Sequence, residues 1–309
     1  MNKIPKLLIL IGLSSIFSHA QQDAQYTQYM YNTIVVNPAY AGSRETMNIN
    51  GLYRAQWIGL EGAPRTMTLA GHTPLSNENI GIGVSLMRDE IWIQTQTHFN
   101  VDFSYTIKTD SLGKLAFGLK AGGNFLNIDY SKTNPENPSE ADFMQNVDNR
   151  FYPNIGFGLY YYTEKFYIGY SAPSLLRTRY YANETGAESY VSQERINHYL
   201  ISGYVFDINP SLKFKPAVLL KAVSGAPLQI DTSANFLFNE KLTVGVAYRW
   251  SAAMSGLVGF QLTDKLMIGY AYDWETSRLN NYNSGSHELF LRFEFDLIND
   301  DVFISPRFF

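Results

Sequence analysis

The stretch that decides the fold is residues 97–107, which read THFNVDFSYTI. Apolar and polar side chains alternate along it, so an extended strand would present apolar groups on one face and polar groups on the other. Roughly ten such residues, tilted by about 45°, cross the apolar band of an outer membrane, which is about 25 Å tall. The pattern therefore fits a strand that stands between lipid and water. Its apolar face would carry Phe99, Val101, Phe103, Tyr105 and Ile107.

Composition fits one large all-β domain. The chain has 309 residues, of which 45% are hydrophobic, 15% aromatic and 17% charged. The net charge of -4 gives no electrostatic reason to expect nucleic acid as a partner. Because there is no cysteine, both disulfides and a lipid-modified N-terminal cysteine are excluded.

Residues 1–20 have the pattern of a secretory signal peptide. Lys3 and Lys6 precede an apolar run at residues 7–17, and Ser18 and Ala20 are the small residues that a signal peptidase reads. The alternative is a transmembrane anchor, but an anchor needs about 20 apolar residues and this run is shorter. We therefore predict that these residues are removed and that the mature chain is exported.

Strand-like segments follow one another from residue 46 onward. Every second connection between them is a tight polar turn, and the others tend to be longer, above all 129–151, 172–197 and 275–287. Outer-membrane barrels have short periplasmic turns and longer outer loops. An even strand number that starts in the periplasm places all the tight turns there. The predicted strands are 46–57, 65–72, 80–89, 97–107, 114–128, 152–162, 165–171, 198–206, 212–222, 229–238, 242–250, 252–262, 266–274 and 288–297.

Alternation alone does not say which face of the sheet is inside. A barrel of about fourteen strands has a wide lumen. Apolar faces turned inward would leave that lumen either empty or filled with water against apolar side chains, so they must face lipid. The alternative is a soluble two-sheet sandwich. The four tryptophans fall near the predicted outer rim, where an aromatic girdle belongs; they are Trp57, Trp92, Trp250 and Trp274. The predicted lumen-facing charges are Arg54, Asp102, Lys114, Lys120, Lys213, Lys215, Lys221, Asp231, Arg249, Asp273, Arg292, Glu294 and Asp296.

The predicted fold is an all-β, antiparallel outer-membrane β-barrel of about 14 strands with a short N-terminal plug-like segment. Residues 21–45 form that segment, residues 46–297 form the barrel, and residues 298–309 form a C-terminal tail. The tyrosines of the segment are too closely spaced for a clean strand, and Pro38 would interrupt a ladder. We therefore expect a short helix or turns ahead of the barrel.

Motifs for catalysis and metal binding are weak. His98, Asp102 and Ser104 share one strand face and form the best candidate for a barrel enzyme site, but ordinary lumen lining has the same pattern. The histidines lack metal-ligand spacing. Glycine pairs such as Gly81 with Gly83 sit inside strands, where glycine permits close packing. We predict no enzyme activity, no catalytic residue and no cofactor.

Acidic residues cluster in the connection at 129–151. A calcium site there is a hypothesis, and a solvated acidic loop is the alternative, because both have the same composition. The residues concerned are Glu136, Glu140, Asp142 and Asp148.

Two N-terminal motifs carry a resemblance to a known family. The chain has QYMYN at residues 28–32 and NPAYAG at residues 37–42, followed by YRAQW at 53–57, by GAP at 62–64 with Thr66, and by PRFF at 306–309. With these motifs the chain resembles the PorP/SprF family of type IX secretion system outer-membrane proteins. The signature residues are Gln28, Tyr29, Met30, Asn32, Asn37, Pro38, Ala39, Tyr40 and Gly42.

The resemblance implies a non-enzymatic outer-membrane component that helps export or anchor a dedicated large cell-surface protein. That cargo would be adhesin-like, would carry a C-terminal sorting domain, and could serve gliding motility. The implied partners are this cargo, periplasmic and outer-membrane type IX components, and outer-membrane lipid. The resemblance brings no catalytic residues, and its signature residues are not an established binding site.

A mechanism follows as a hypothesis from the residues. Tyrosine and glutamine can hydrogen-bond in a polar lumen while covering apolar surface, so residues 21–42 are expected to lie in or under the lumen and close it. The outer loops 129–151 and 172–197 would then bind a protein partner; Tyr180, Tyr181 and Tyr190 lie in the second. The alternatives are a channel for small solutes and a barrel enzyme.

Overall fold

Antiparallel strands close into one barrel in the computed structural model of the chain. The structure describes residues 25–75, 79–109, 113–133, 146–176, 179–181, 190–193 and 195–295. No helix among these residues is long and apolar enough to cross a membrane. The strands are β1 (Met47–Ala55), β2 (Arg65–Pro74), β3 (Ile80–Ile91), β4 (Gln94–Lys108), β5 (Lys114–Ile128), β6 (Val147–Tyr162), β7 (Phe166–Ala172), β8 (Arg179–Tyr181), β9 (Tyr190–Gln193), β10 (Asn197–Tyr204), β11 (Phe206–Asn209), β12 (Leu212–Val223), β13 (Gln229–Phe238), β14 (Leu242–Arg249), β15 (Ala253–Gln261), β16 (Leu266–Glu275) and β17 (Ser286–Phe295).

The barrel has fourteen strand positions. From β1 to β7 and from β11 to β17 each strand pairs with the next along the chain, and β1 pairs with β17, so the predicted closure of the last strand on the first is confirmed. On the other side β10 pairs with both β7 and β12. β11 follows β10 after Val205 and also pairs with β12, so the two share one position and the fourteen-strand barrel is closed. β8 and β9 form a separate hairpin in the connection between β7 and β10.

The predicted strands agree with the observed ones, with three corrections. β5 and β13 have the predicted bounds. β4 and β6 begin at Gln94 and Val147, earlier than predicted. Their outer ends lack the alternation of apolar and polar residues on which the prediction relied. The predicted strand 198–206 is interrupted at Val205, and the short β8–β9 hairpin was not predicted. The predicted signal peptide and C-terminal tail lie outside the described residues and stay predictions.

Strand faces segregate as the lipid-facing arrangement requires. On β4, Asp102 and Ser104 are fully buried, whereas Phe99 and Tyr105 are 44% and 46% exposed. The apolar faces therefore point outward, and the sandwich alternative is wrong. A Lys or Arg placed at the midplane of this outward face would cost roughly 2–4 kcal/mol, which explains why charged residues in the middle of the strands, such as Asp102 and Lys120, face the lumen.

The two rims of the barrel differ. The tryptophans lie at the rim opposite the start of β1, where the long connections also lie, and three of them are more than half exposed: Trp92, Trp250 and Trp274. Trp57 donates from Nε1 to the Glu275 carboxylate at 3.2 Å. The prediction of an aromatic girdle at this rim is confirmed. By the rule for outer-membrane barrels we call it the outer rim and the other the periplasmic rim.

Candidate functional site

The N-terminal residues 25–46, here called the luminal segment, lie inside the barrel. They form a 3-10 turn (Tyr29–Tyr31), the single helical turn α1 (Thr33–Val36) and a second 3-10 turn (Pro38–Tyr40). Asn37 ends α1, and its side chain accepts a hydrogen bond from the Ala39 N–H at 3.0 Å, which caps the second turn. The predicted short helix and turns are confirmed. The main apolar core of the protein forms between this segment and the strands around it.

The start of the luminal segment is held by a buried charge cluster near the outer rim. Arg54 on β1 pairs with Asp273 at 2.6 Å and with Glu288 at 3.1 Å, and all three side chains are almost fully buried. The backbone N–H groups of Thr27 and Gln28 donate to the Glu288 carboxylate at 3.0 and 2.7 Å. Besides its ion pair with Arg54, Glu288 thus accepts hydrogen bonds from the luminal segment. The segment thereby helps to compensate a charge that is buried in the barrel wall.

Tyr31 marks the middle of the segment. Its ring stacks on Phe290 with centroids 5.1 Å apart, and the ammonium of Lys215 and the guanidinium of Arg292 lie over it at 5.5 and 5.9 Å. Both cations are buried, so their attraction to the ring face is little screened by water. Burial raises the pKa of the Tyr31 hydroxyl, which therefore stays neutral beside them.

Asn37 fits a notch made by glycines on the inner wall. Its Nδ2 donates to the carbonyl of Leu159 on β6 at 3.0 Å. A Cβ built on Gly158 would come within 2.0 Å of the Asn37 Oδ1, and one built on Gly169 within 2.8 Å of its Nδ2. Next to this notch, a Cβ on Gly118 would come within 2.1 Å of the Ala39 nitrogen. The prediction that strand glycines permit close packing is confirmed at this point.

The end of the segment is fixed at the periplasmic rim. The Gly42 N–H donates to His72 Nδ1 at 3.2 Å, and Arg44 pairs with Glu294 at 2.6 Å. Gly42 has φ of +72°, and a Cβ there would lie 2.8 Å from the Cα of Gly81, so both conformation and space require glycine. Together with the contacts at Thr27, this shows that the chain runs from the outer half of the lumen down to the periplasmic rim.

The signature residues all belong to the luminal segment, and every one except Gly42 is buried. Asn32 donates from Nδ2 to Thr68 on β2 at 2.9 Å, and Tyr40 packs edge-on against His72 and Tyr160. Burial raises the pKa of Tyr29 well above its usual value, so its hydroxyl is neutral. Met30 and Pro38 are buried in the same core.

The residues considered as a candidate enzyme site do not assemble into one. Ser104 donates from Oγ to the Ala41 carbonyl at 2.6 Å, and Asp102 pairs with Lys120 at 2.9 Å. His98 lies 3.2 Å from the Gln96 amide oxygen, higher on β4. Each residue thus has a different structural partner: Ser104 contacts the luminal segment, Asp102 a neighbouring strand, and His98 a residue of its own strand.

The predicted calcium loop falls largely outside the described residues. Glu136, Glu140 and Asp142 are not described, and Asp148 is exposed near the start of β6. Among the described parts of the chain, no group of three acidic, histidine or cysteine side chains could hold a metal ion. The calcium site therefore stays a hypothesis.

A cavity with a mixed polar and apolar lining lies above the luminal segment, at the outer end of the lumen, and sequence reasoning missed it. Its volume is about 300 Å³. The signal for it lies in Gln94 and Gln96, which continue the inward face of His98 and Asn100 upstream of the predicted strand start. The inward face of β4 thus stays polar beyond the stretch in which its outward face is apolar.

Architecture and residue segregation define the molecule as an integral β-barrel of the outer-membrane class. The CymD monoaromatic hydrocarbon channel is similar at 11% identity, with 86% of this chain and 93% of that chain covered and a TM-score of 0.52. Omp33 of Acinetobacter baumannii matches at 12% identity over 81% of this chain and 98% of its own, with a TM-score of 0.48. At such identities the likeness shows the fold alone. No curated protein sequence matches the chain.

The sequence pattern of the family described as type IX secretion system membrane protein PorP/SprF matches residues 18–293. The chain belongs to this family. It is thus an outer-membrane component of type IX secretion, and family membership implies interaction with other components of that system.

Proposed function

We propose that the protein is a closed, non-enzymatic docking platform that helps export or anchor one dedicated large cell-surface protein. The main observation in support is that the luminal segment contacts the inner wall on opposite sides of the barrel. Thr27 is held by β16 and β17, while Asn37 and Ala41 are held by β6 and β4. A segment fixed across the lumen in this way favours a platform over an open pore.

Charge pairing supports the same proposal. The buried Arg54, Asp273 and Glu288 cluster and the Asp102–Lys120 pair use their charges on each other and on the luminal segment. These pairs belong to the barrel wall, but without the segment the buried Glu288 carboxylate would lose the N–H donors of Thr27 and Gln28. A hydrogen bond to a charged group contributes about 1.5–3 kcal/mol, so the segment leaves the lumen only if another interaction compensates for that loss.

The outer rim is the surface proposed for the cargo. The connections between β5 and β6 and between β7 and β10 are the long ones, and the second includes the β8–β9 hairpin with Tyr180, Tyr181 and Tyr190. The cargo is proposed to be adhesin-like, with a C-terminal sorting domain, and to serve gliding motility. On the same proposal, residues 1–20 direct export, the apolar outer face binds membrane lipid, and periplasmic type IX components bind at the other rim.

Deleting the gene and comparing surface and secreted proteins by mass spectrometry tests the proposal. Loss of one or a few large proteins with type IX C-terminal domains, while other cargo still leaves the cell, is the expected result. Loss of all type IX cargo would contradict a dedicated partner and indicate a core machine component. Unchanged cargo would contradict the platform and favour the solute channel.

Exchange of outer loops tests where the cargo binds. Replacing residues 129–151 and 172–197 by those of a related barrel should transfer cargo choice to the donor's cargo, while exchange of the tight turn at 263–265 serves as the control. Unchanged cargo choice would place recognition in the lumen or at the periplasmic rim.

A further inference from the structure

The cavity above the luminal segment has the lining of a ligand site. Gln25, Tyr26 and Tyr29 of the segment form its floor, and inward-facing residues of the surrounding strands form its walls. Side-chain amides dominate the polar part of the lining. They are Gln25, Gln94, Gln96, Asn100, Asn124, Asn154 and Gln229.

Among these residues, Asn124 on β5 gives the strongest indication of a ligand. It is 4% exposed, and neither its Oδ1 nor its Nδ2 has a hydrogen-bond partner within the described parts of the chain. The Oδ1 atoms of Asn100 and Asn154, which line the same cavity, also lack one there. Because buried polar atoms are rarely left without a partner, three such amides among the residues that line one cavity point to a polar ligand.

Two of the charged residues that line the cavity, Lys120 and Asp231, are already ion-paired. Lys120 pairs with Asp102 at 2.9 Å, and Asp231 pairs with Arg249 at 3.0 Å. The Lys221 ammonium lies over the ring of Tyr199, 5.7 Å from its centre. An ionic ligand, including the charged end of a peptide, would compete with these pairs, so the lining favours an uncharged one.

We propose that this cavity binds a neutral mono- or disaccharide unit. Amides both donate and accept hydrogen bonds, as sugar hydroxyls require. Lining tyrosines such as Tyr26 and Tyr29 add aromatic surface on which the C–H face of a sugar ring can pack. A volume of about 300 Å³ is at the small end of ligand pockets. The proposal goes beyond the platform function and does not depend on it.

Saturation-transfer NMR on the purified full-length protein in detergent tests the proposal. The probes are glucose, galactose, mannose, N-acetylglucosamine, maltose and lactose, with glucuronic acid as the charged comparison. At least one neutral probe should show transfer and glucuronic acid should not. Replacing Asn124 by Leu should weaken binding of that probe about tenfold or more, because the buried amide bonds are lost.

Asn50→Leu is the matched control. Asn50 is a buried lumen asparagine on β1 whose Oδ1 also lacks a partner among the described residues, but it does not line the cavity. Its variant should bind the sugar as the wild type does. Heat-modifiable migration on gels shows whether each variant is folded. Should Asn124→Leu not fold, Asn100→Leu replaces it.

The outcomes distinguish a soluble saccharide from the end of a larger glycan, and both of these from a peptide. Binding of free sugars supports a soluble saccharide, whereas binding only of the neutral oligosaccharide released from the bacterium's own lipopolysaccharide supports a glycan terminus. Absence of transfer from both overturns the proposal. So does equal binding by Asn124→Leu, or binding of a neutral Gly-Asn-Gly-Asn peptide in place of every sugar.

Discussion

The Glu288 carboxylate on β17 accepts a hydrogen bond from the backbone N–H of Gln28, 2.7 Å away. Its other oxygen accepts from the Thr27 N–H and pairs with Arg54. In a Glu288→Gln variant one oxygen becomes an amide donor and the charge is lost, so the start of the luminal segment should loosen by about 3 kcal/mol. Hydrogen exchange at Thr27 and Gln28 should then be roughly a hundredfold faster.

Glu240→Gln is the control for this substitution. Glu240 pairs with Lys213 at 2.5 Å near the periplasmic rim, where both side chains are partly exposed. Exposed pairs contribute only about 0–1 kcal/mol, so exchange in the luminal segment should not change. Equal exchange in wild type and Glu288→Gln would show that the carboxylate does not hold the segment.

Close approach of strand and segment at Gly118 gives a second prediction. Because a Cβ there would come within 2.1 Å of the Ala39 nitrogen, Gly118→Val should displace the segment and cost about 1–3 kcal/mol of overpacking. Limited proteolysis in detergent should then cut between residues 25 and 46 with the barrel intact. Gly256→Val is the control, since nothing lies within 4 Å of a Cβ at that position. Equal resistance of both variants would contradict the packing described.

Removal of the segment should open the lumen. Planar-bilayer recordings of the intact protein should show little conductance, and deletion of residues 21–42 should raise it, because a lumen of fourteen strands without its filling is wide. Gly118→Val should give intermediate or fluctuating currents. Large steady currents from the intact protein would contradict the plug.

Much of the fold could be predicted because one face of each strand must meet lipid. The alternation in residues such as Phe103 and Asp102 specifies both the strand and its register, since a slip by one residue would turn charges toward lipid. The outer ends of β4 and β6 were not predicted, because they lie beyond the part of the barrel that meets lipid. Above the membrane the outward face no longer needs to be apolar, so at Gln94 and Val147 the alternation carries little information.

The site was predictable only in its location. Tyr and Gln content indicated a segment suited to a polar lumen, but its partners depend on strands far away in sequence. Gln28 meets Glu288, and Asn37 meets Gly158 and Gly169. Likewise His98, Asp102 and Ser104 share a face, as alternation requires, yet Asp102 and Ser104 meet partners on a neighbouring strand and on the luminal segment. Such pairings follow from barrel closure, which no local pattern encodes.

Direction of the luminal segment can be measured with single cysteines, because the chain has none. Gln25 lines the outer cavity, and Glu45 lies beside Lys114 at the periplasmic rim. In intact cells a membrane-impermeant maleimide should label Gln25→Cys, and it should label Glu45→Cys only after the outer membrane is permeabilised. The reverse pattern would show that the barrel is inserted in the opposite orientation.

Orientation of the strand faces toward lipid gives the last prediction. Leu119 is the sixth of the fifteen residues of β5, faces outward and is 64% exposed. In Leu119→Lys the ammonium meets hydrocarbon, so the free energy of unfolding from phospholipid vesicles should fall by roughly 2–4 kcal/mol. Leu228→Lys is the matched control, because Leu228 is 55% exposed but lies at the outer rim, just before β13. A Lys near the interface should cost only about 0–1 kcal/mol. Urea titration with tryptophan fluorescence measures both variants, and equal stabilities would contradict the depth of Leu119 in the membrane.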